Sequence, residues 1–432
     1  QGVSVMAALS DLEPMRIRDL VDYITSVEAT PECRQAVVLT MDYYTTKHRL
    51  LSKVFDGFLN TGDAKKRDLL LEFLFAWWHT RRRELKNDTK FTDRIKAFAA
   101  ELLEREDVQE YGMRVTRQMI TAPLKRFGSK NTRLQRRVVA VKVTDSLRIS
   151  RFTWRNLNAE RLAMYLTMVD QELTNDIRNA DLLQGRWNLK KGHNVKASAV
   201  RVHRLIDWSN MIGDWVATVI CMAPKTKQRA FAISYFVRVL KHLRHFNSFN
   251  CLFVVWSALS SLAVQFLRRE WKELSSELRD VWDAVNVVLS MSGNFQNYRD
   301  TIDAAQPPAI PYLGLLLQDI IHAETDETFV TQPSECRRSK YRKRINLSKM
   351  STIATTLSTR EKSLDDYRWL TDLSPITGSY FLHLNNHEEV LGTEALKQRV
   401  KSLPKESVSK RQAHRIRRTW SLSRVKKHKV YT

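Results

Sequence analysis

Apolar residues recur every three or four positions through the first part of the chain, as they do along one face of a helix. The residues that carry this pattern are Ile17, Leu20, Val21, Ile24, Leu70, Phe73, Leu74 and Trp77. Residues 61–63 interrupt the pattern, and Asp63 is suited to cap a helix predicted over residues 65–79. We therefore predict a helical bundle over residues 1–124.

A second stretch of helical periodicity extends over residues 151–404. It begins with apolar residues on one stripe, which are Leu162, Tyr165, Leu166, Val169 and Leu173. Its longest apolar run, residues 249–266, also contains asparagine, serine and glutamine, so it predicts a buried core helix rather than a membrane span. Because the chain has only 12 glycines and 10 prolines, we predict an all-α protein with two helical bundles.

The helical pattern lapses in two basic segments. Residues 125–150 are predicted to link the two bundles, and residues 138–143 within them could form a short strand. Residues 405–432 form a basic tail, for which we expect either disorder or an interfacial helix on anionic lipid. The predicted domain order is therefore bundle, linker, bundle and tail.

The chain is strongly basic, with 71 lysines and arginines against 47 aspartates and glutamates, a net charge of +24. Such an excess indicates a polyanionic partner, either nucleic acid or an anionic membrane. The basic runs 81–83, 337–344 and 405–429 lie between or after the apolar segments. A nucleic-acid-binding helical protein is the alternative that rests on charge, but no RRM, zinc-finger or clear helix-turn-helix signature supports it.

Signatures of covalent chemistry are absent from the sequence. It contains no glycine-rich phosphate loop, no GxSxG and no HExxH pattern. The four cysteines are far apart and match no metal-binding spacing, which favours a reduced, cytoplasmic protein without disulfides or zinc. We expect no covalent mechanism of its own, no bound metal and no cofactor.

Residues 307–321 carry the most informative motif, in which prolines stiffen the entry to an apolar helix. From physical chemistry alone, this segment could be one more core helix. It also resembles the RasGEF family, whose signature is a Pro-aromatic pair followed by four residues, an apolar residue, any residue, Asp or Asn, and an aliphatic residue. The matching residues are Pro311, Tyr312, Leu317, Asp319 and Ile320. Ala309 and Ile310 differ from the residues usual in the family.

Other landmarks of the RasGEF family occur in the same order. They are residues 181–187, Asn210, 215–216, 229–230, 246–250, 257–261, Trp271, 294–299, 345–347 and 353–354. The first bundle resembles the helical module that accompanies these catalytic domains. The resemblance implies a guanine-nucleotide exchange factor for a Ras-like small GTPase, which itself carries GDP or GTP and magnesium. An exchange-inactive scaffold that binds a GTPase is the runner-up.

The resemblance implies a protruding helical hairpin on the second bundle. Its arms are expected at residues 312–324 and 345–357, with the basic run 337–344 near its tip. In the family an aliphatic residue crowds the magnesium site, and Ile321 matches it. A glutamate one turn later occupies phosphate space, but strict register places Thr325 there. The acids Glu324, Asp326 and Glu327 are candidates to substitute for it.

The resemblance also implies a surface that contacts the GTPase. The candidate residues are Asn210, Phe253, Ser260, Trp271, Phe295, Tyr312, Gln318 and His322. Ser260 and Phe266 depart from the Asn and Arg common in the family. Asn247 and Asn250 are expected to cap and brace helices instead. Because substrates of this family are typically lipid-anchored, we expect recruitment to the inner face of a membrane, with the basic tail as a possible lipid contact.

Overall fold

The computed structural model describes residues 13–26, 28–121, 155, 157–185, 187, 199–333, 341–361 and 367. The predicted linker at 125–150, its possible strand and the basic tail lie outside these residues. The described part of the chain is overwhelmingly helical, which confirms the all-α prediction. None of the helices in this part combines the length and the apolarity that a membrane span requires.

The described residues divide into two compact units. The first joins the N-terminal helices to residues 318–358, and the second contains the residues from 155 to 317 and from 359 onward. The sequence prediction had placed 318–358 with the C-terminal bundle. These residues group with the N-terminal helices because Ile345, Leu347 and Met350 are buried in the same apolar core as Trp77.

Helices of five to 17 residues form the N-terminal part of the first unit, and polar side chains cap the start of several of them. They are α1 (Ile17–Ile24), α2 (Pro31–Thr40), α3 (Lys47–Leu59), α4 (Ala64–Thr80), α5 (Arg82–Lys86), α6 (Thr89–Glu104) and α7 (Gln109–Val115). A 3-10 turn, Met41–Tyr43, follows α2. The side chain of Asp63 accepts from the Lys65 amide, as expected for the start of α4. The amphipathic pattern at residues 17–24 and 70–77 therefore marks buried faces.

The second unit combines long helices of up to 24 residues with short helices of four or five residues. They are α8 (Ala159–Asp176), α9 (Asn179–Leu182), α10 (Ala199–Met222), α11 (Thr226–His245), α12 (Phe249–Leu259), α13 (Leu262–Gln265), α14 (Arg268–Lys272), α15 (Ser276–Val288) and α16 (Gln296–Ala304). Helix α11 packs against α8, α12, α14 and α15. The long apolar run gives a buried helix, as predicted, but it ends at Leu259 because Ser261 is extended.

The predicted hairpin segment contains two helices joined by a strand pair. Helix α17 spans Leu313–Glu324 and α18 spans Leu347–Glu361, and the boundaries between the two units fall inside these helices. Between them, β1 (Phe329–Pro333) pairs antiparallel with β2 (Tyr341–Ile345), with Val330 opposite Arg344. The strands were not predicted. They delay the start of α18, because Ile345 still belongs to β2 and the Asn346 side chain accepts from the Lys349 amide.

Candidate functional site

The start of α17 is fixed by two polar side chains of the second unit. The Leu313 amide donates to Asn250 Oδ1 at 3.2 Å, and the Tyr312 amide donates to Tyr298 Oη at 2.8 Å. These amides precede the first helical hydrogen bonds, so they would otherwise lack partners inside the helix. Asn250 thus braces helices, as predicted, and Asn247 likewise donates to the Gln306 carbonyl at 3.2 Å.

A buried carboxyl group, that of Asp170, holds the Asn250 side chain in place. Asp170 on α8 is fully buried, and its Oδ1 accepts from Asn250 Nδ2 at 2.8 Å. Burial raises the pKa of Asp170 to about 7, although hydrogen bonds from Asn250 and Cys251 oppose the rise. No pattern in the sequence indicated this carboxyl group, because a polar residue at one position of an amphipathic helix normally faces solvent.

Aromatic rings cluster around the beginning of α17. The rings of Phe253 and Tyr312 stack with centroids 4.0 Å apart, and Tyr298 meets Phe253 edge-on at 5.3 Å. Phe253 is only 4 % exposed, so it lies beneath the surface and supports Tyr312 instead of presenting its own ring. Burial also raises the pKa of Tyr312. Two predicted contact residues therefore form one packed platform, to which sequence reasoning had not assigned Tyr298.

Phe295 lies beside this platform in a conformation unusual for its type. Gly293, Asn294 and Phe295 are all left-handed, with φ of 59°, 55° and 63°. Glycine and asparagine adopt this region readily, but an aromatic residue is an outlier there. The half-buried Phe295 ring is 5.8 Å from that of Phe253. The strained backbone places an aromatic side chain at the start of α16.

The other predicted contact residues lie on separate elements. Asn210 is exposed on α10, and the half-buried Ser260 ends α12. Trp271 on α14 donates through Nε1 to the Val264 carbonyl at 3.0 Å. Phe266, which the resemblance aligns with a common arginine, is 40 % exposed. Gln318 is half-buried and His322 is exposed, and both belong to α17.

The far end of α17 carries the other group of candidate residues. Ile321 is an exposed aliphatic residue at 36 %, and the Asp326 and Glu327 side chains are also exposed. Thr325 ends the helix, because its hydroxyl donates to the His322 carbonyl at 2.7 Å. The Glu324 carboxylate is different, since it accepts a hydrogen bond from the Tyr43 hydroxyl.

Lys349 of α18 holds the turn that follows α17. Its Nζ donates to the Asp326 carbonyl at 2.6 Å, the Thr328 hydroxyl at 3.2 Å and the Glu324 carbonyl at 3.4 Å. The ammonium is also 5.6 Å from the centroid of the Tyr43 ring. Burial lowers the pKa of Lys349, while Glu324 and Asp326 oppose the change. Sequence reasoning missed Lys349 and Tyr43, because neither belongs to a motif and Tyr43 is 281 residues from Glu324.

Comparison with known proteins shows which sequences part of the chain is similar to. Residues 161–351 match the RasGEF domain family. Among curated relatives from Dictyostelium discoideum, the chain is 28 % identical to Ras guanine nucleotide exchange factor M over 197 residues and 30 % identical to factor A over 177 residues. It is 33 % identical to factor S over 180 residues. These matches cover 46 %, 41 % and 41 % of the chain but only 20 %, 29 % and 17 % of the respective relatives.

Proposed function

We propose, from the match of residues 161–351 to the RasGEF domain family, that the chain is a guanine-nucleotide exchange factor for a Ras-like small GTPase. The observation that carries the proposal is the far end of α17, where Ile321 is exposed and the turn after the helix carries the exposed acids Asp326 and Glu327. The chain would change the affinity of its partner for nucleotide and would make or break no covalent bond.

The proposed mechanism follows from how such a GTPase holds its nucleotide. Phosphate contacts and a magnesium ion order two mobile switch segments around the nucleotide. Helices α17 and α18, with strands β1 and β2 between them, would act as a projecting hairpin that displaces switch 1. Ile321 would then place an apolar side chain at the magnesium site, where it cannot act as a ligand. The carboxylates of Glu324, Asp326 or Glu327 would repel the phosphates of the nucleotide. After the nucleotide leaves, they would accept hydrogen bonds from the phosphate loop of the GTPase.

We propose that switch 2 binds the second unit near the aromatic platform. Phe295 and Tyr312 would provide apolar contact, with Phe253 as support beneath them. Asn210, Ser260 and Trp271 complete the candidate surface of the second unit, and Gln318 and His322 are candidate contacts on the first unit. Exposed Phe266 favours an apolar neighbour on the partner, whereas arginine would favour an acidic one. This departure therefore bears on which GTPase is selected.

One observation favours a second function, that of a scaffold that binds a GTPase without releasing nucleotide. The resemblance aligns Thr325 with the hairpin glutamate of the RasGEF family, and the Thr325 hydroxyl donates to the His322 carbonyl. A threonine supplies no negative charge to compete with phosphate. The two functions differ in whether binding accelerates nucleotide release.

The test is release of a fluorescent GDP from a panel of Ras, Rap, Ral and Rho-type GTPases. We expect acceleration of at least one member, and we expect Ile321→Ala to reduce it by about tenfold, equivalent to roughly 1.4 kcal/mol of barrier. Met113→Ala is the matched control, because Met113 is an apolar residue of α7 that is 54 % exposed. Binding without acceleration of any member would establish the scaffold, and an equal effect of both variants would exclude the role of Ile321.

A further inference from the structure

The three acids that follow Ile321 have different surroundings. We call residues 324–328 the acidic turn. Within it, the Glu324 carboxylate is half-buried and bonded to Tyr43, while the Asp326 and Glu327 carboxylates are exposed. The sequence left all three as equal candidates for the acid that competes with phosphate. The structure separates them by what each carboxylate contacts.

We propose that Glu324 is a positioning residue anchored by Tyr43, and that Asp326 and Glu327 are the acids that face the phosphate site of the partner. This inference rests on the proposed exchange function and assigns roles within its site. Tyr43 and Lys349 then become positioning residues for exchange, although neither touches the partner.

The bond between Tyr43 and Glu324 is the first reason. A hydroxyl that donates to an ionised carboxylate forms one of the stronger hydrogen bonds in proteins. Turning the Glu324 carboxylate toward a partner would break this bond and leave the half-buried Tyr43 hydroxyl without its acceptor. Moving Glu324 toward phosphate therefore costs the free energy of this hydrogen bond, a cost that the exposed Asp326 and Glu327 do not have.

The bonding of the turn's backbone is the second reason. Lys349 Nζ donates to the carbonyls of Glu324 and Asp326, and Asn346 Nδ2 donates to the Glu327 carbonyl at 3.0 Å. The Asn346 amide also donates to the Thr328 carbonyl at 3.0 Å. The turn is thus held through its backbone, which leaves the Asp326 and Glu327 side chains in solvent at a fixed position. Such preorganisation is what electrostatic competition with phosphate requires.

Substitutions of Glu324 separate an anchor from a reacting acid. Glutamine retains an oxygen that accepts from Tyr43, so Glu324→Gln is expected to change GDP release by less than about twofold. Glu324→Ala and Tyr43→Phe each break the bond and are expected to slow release by about fivefold to tenfold. Because they remove the same bond, the double variant is expected to be no slower than either single variant.

The exposed acids have their own test. Asp326→Asn combined with Glu327→Gln is expected to slow release more than tenfold, because both negative charges are lost while the turn keeps its backbone bonds. Tyr44→Phe is the matched control, since Tyr44 is the adjacent tyrosine and its hydroxyl bonds the Val37 carbonyl at 3.0 Å. Its variant is expected to release GDP at the wild-type rate. Severe slowing by Glu324→Gln, with wild-type release by the amide pair, would overturn the assignment.

Amide hydrogen exchange tests, without any GTPase present, whether the hydrogen bond between Tyr43 and Glu324 holds the acidic turn. Tyr43→Phe and Glu324→Ala are expected to lower protection of the amides of residues 324–328 by about tenfold, and Tyr44→Phe is expected to leave it unchanged. If the wild-type chain released nucleotide from no GTPase, the exchange function would fall, and these protection data would still decide whether Tyr43 holds the turn. Unchanged protection in both variants would reject the anchor.

Discussion

The left-handed conformation of Phe295 leads to a prediction in which the usual order of alanine and glycine is reversed. We compare Phe295→Ala with Phe295→Gly, since both remove the ring but only glycine adopts a φ of 63° freely. For a residue with a Cβ atom this conformation costs roughly 1–2 kcal/mol. Glycine loses more backbone entropy on folding, by roughly 0.5–1 kcal/mol relative to alanine. The glycine variant should therefore be more stable than the alanine variant by roughly 0.75 kcal/mol, the difference between the midpoints of the two ranges.

Urea unfolding and thermal unfolding measure this difference. The matched control is Ala284→Gly at an exposed position inside α15, where glycine should lower stability by about 1 kcal/mol. GDP release supplies the second readout, because the ring is proposed to contact switch 2. Both Phe295 variants should slow release equally, although their stabilities differ. An alanine variant as stable as the glycine variant would refute the strain, and full exchange activity in either would refute the contact.

Three further predictions concern the buried groups and the tail. The pKa of Asp170 is about 7 in the folded chain and about 4 when unfolded, so its folding contribution becomes less favourable as pH rises from 4 to 7. The free energy of unfolding of Asp170→Asn, measured relative to wild type, should therefore be more favourable to the variant at pH 8 than at pH 5. The same difference between variant and wild type at both pH values would contradict the raised pKa. Arg229 donates to Glu270 at 2.7 Å in a buried pair, so Arg229→Met should cost about 3–5 kcal/mol in urea unfolding, and a loss below 1 kcal/mol would contradict this. Deleting residues 405–432 should abolish co-sedimentation with anionic liposomes, and unchanged binding would reject the tail's role.

Helices were predicted well because they depend on local patterns. The spacing of Leu70, Phe73, Leu74 and Trp77 reflects one buried face of α4, and Asp63 caps that helix as a residue of its type does elsewhere. The strand pair was missed because each strand has only five residues and is stabilised by a partner across the turn. Its alternation is too short to separate from the flanking helical pattern.

Motifs in the sequence indicated the helix that carries the candidate residues, but they did not indicate the long-range contacts around it. The signature predicted a helical arm over residues 312–324, which agrees with α17, and named Ile321 as a candidate, since spacing along one helix is visible in the sequence. The burial of Phe253, the Tyr43 bond to Glu324 and the Lys349 bonds depend on residues far apart in the chain. Sequence patterns do not indicate which polar side chains meet across a fold, so the different surroundings of the three acids are visible only in the structure.

The central claim is that binding to the far end of α17 expels nucleotide. The most direct test is the rate of fluorescent GDP release from the responding GTPase, measured as the chain is titrated in the presence of excess GTP. The rate is expected to rise with chain concentration to a plateau well above the intrinsic rate, and Ile321→Ala is expected to lower this plateau. Saturable binding of the chain with release held at the intrinsic rate would contradict the claim.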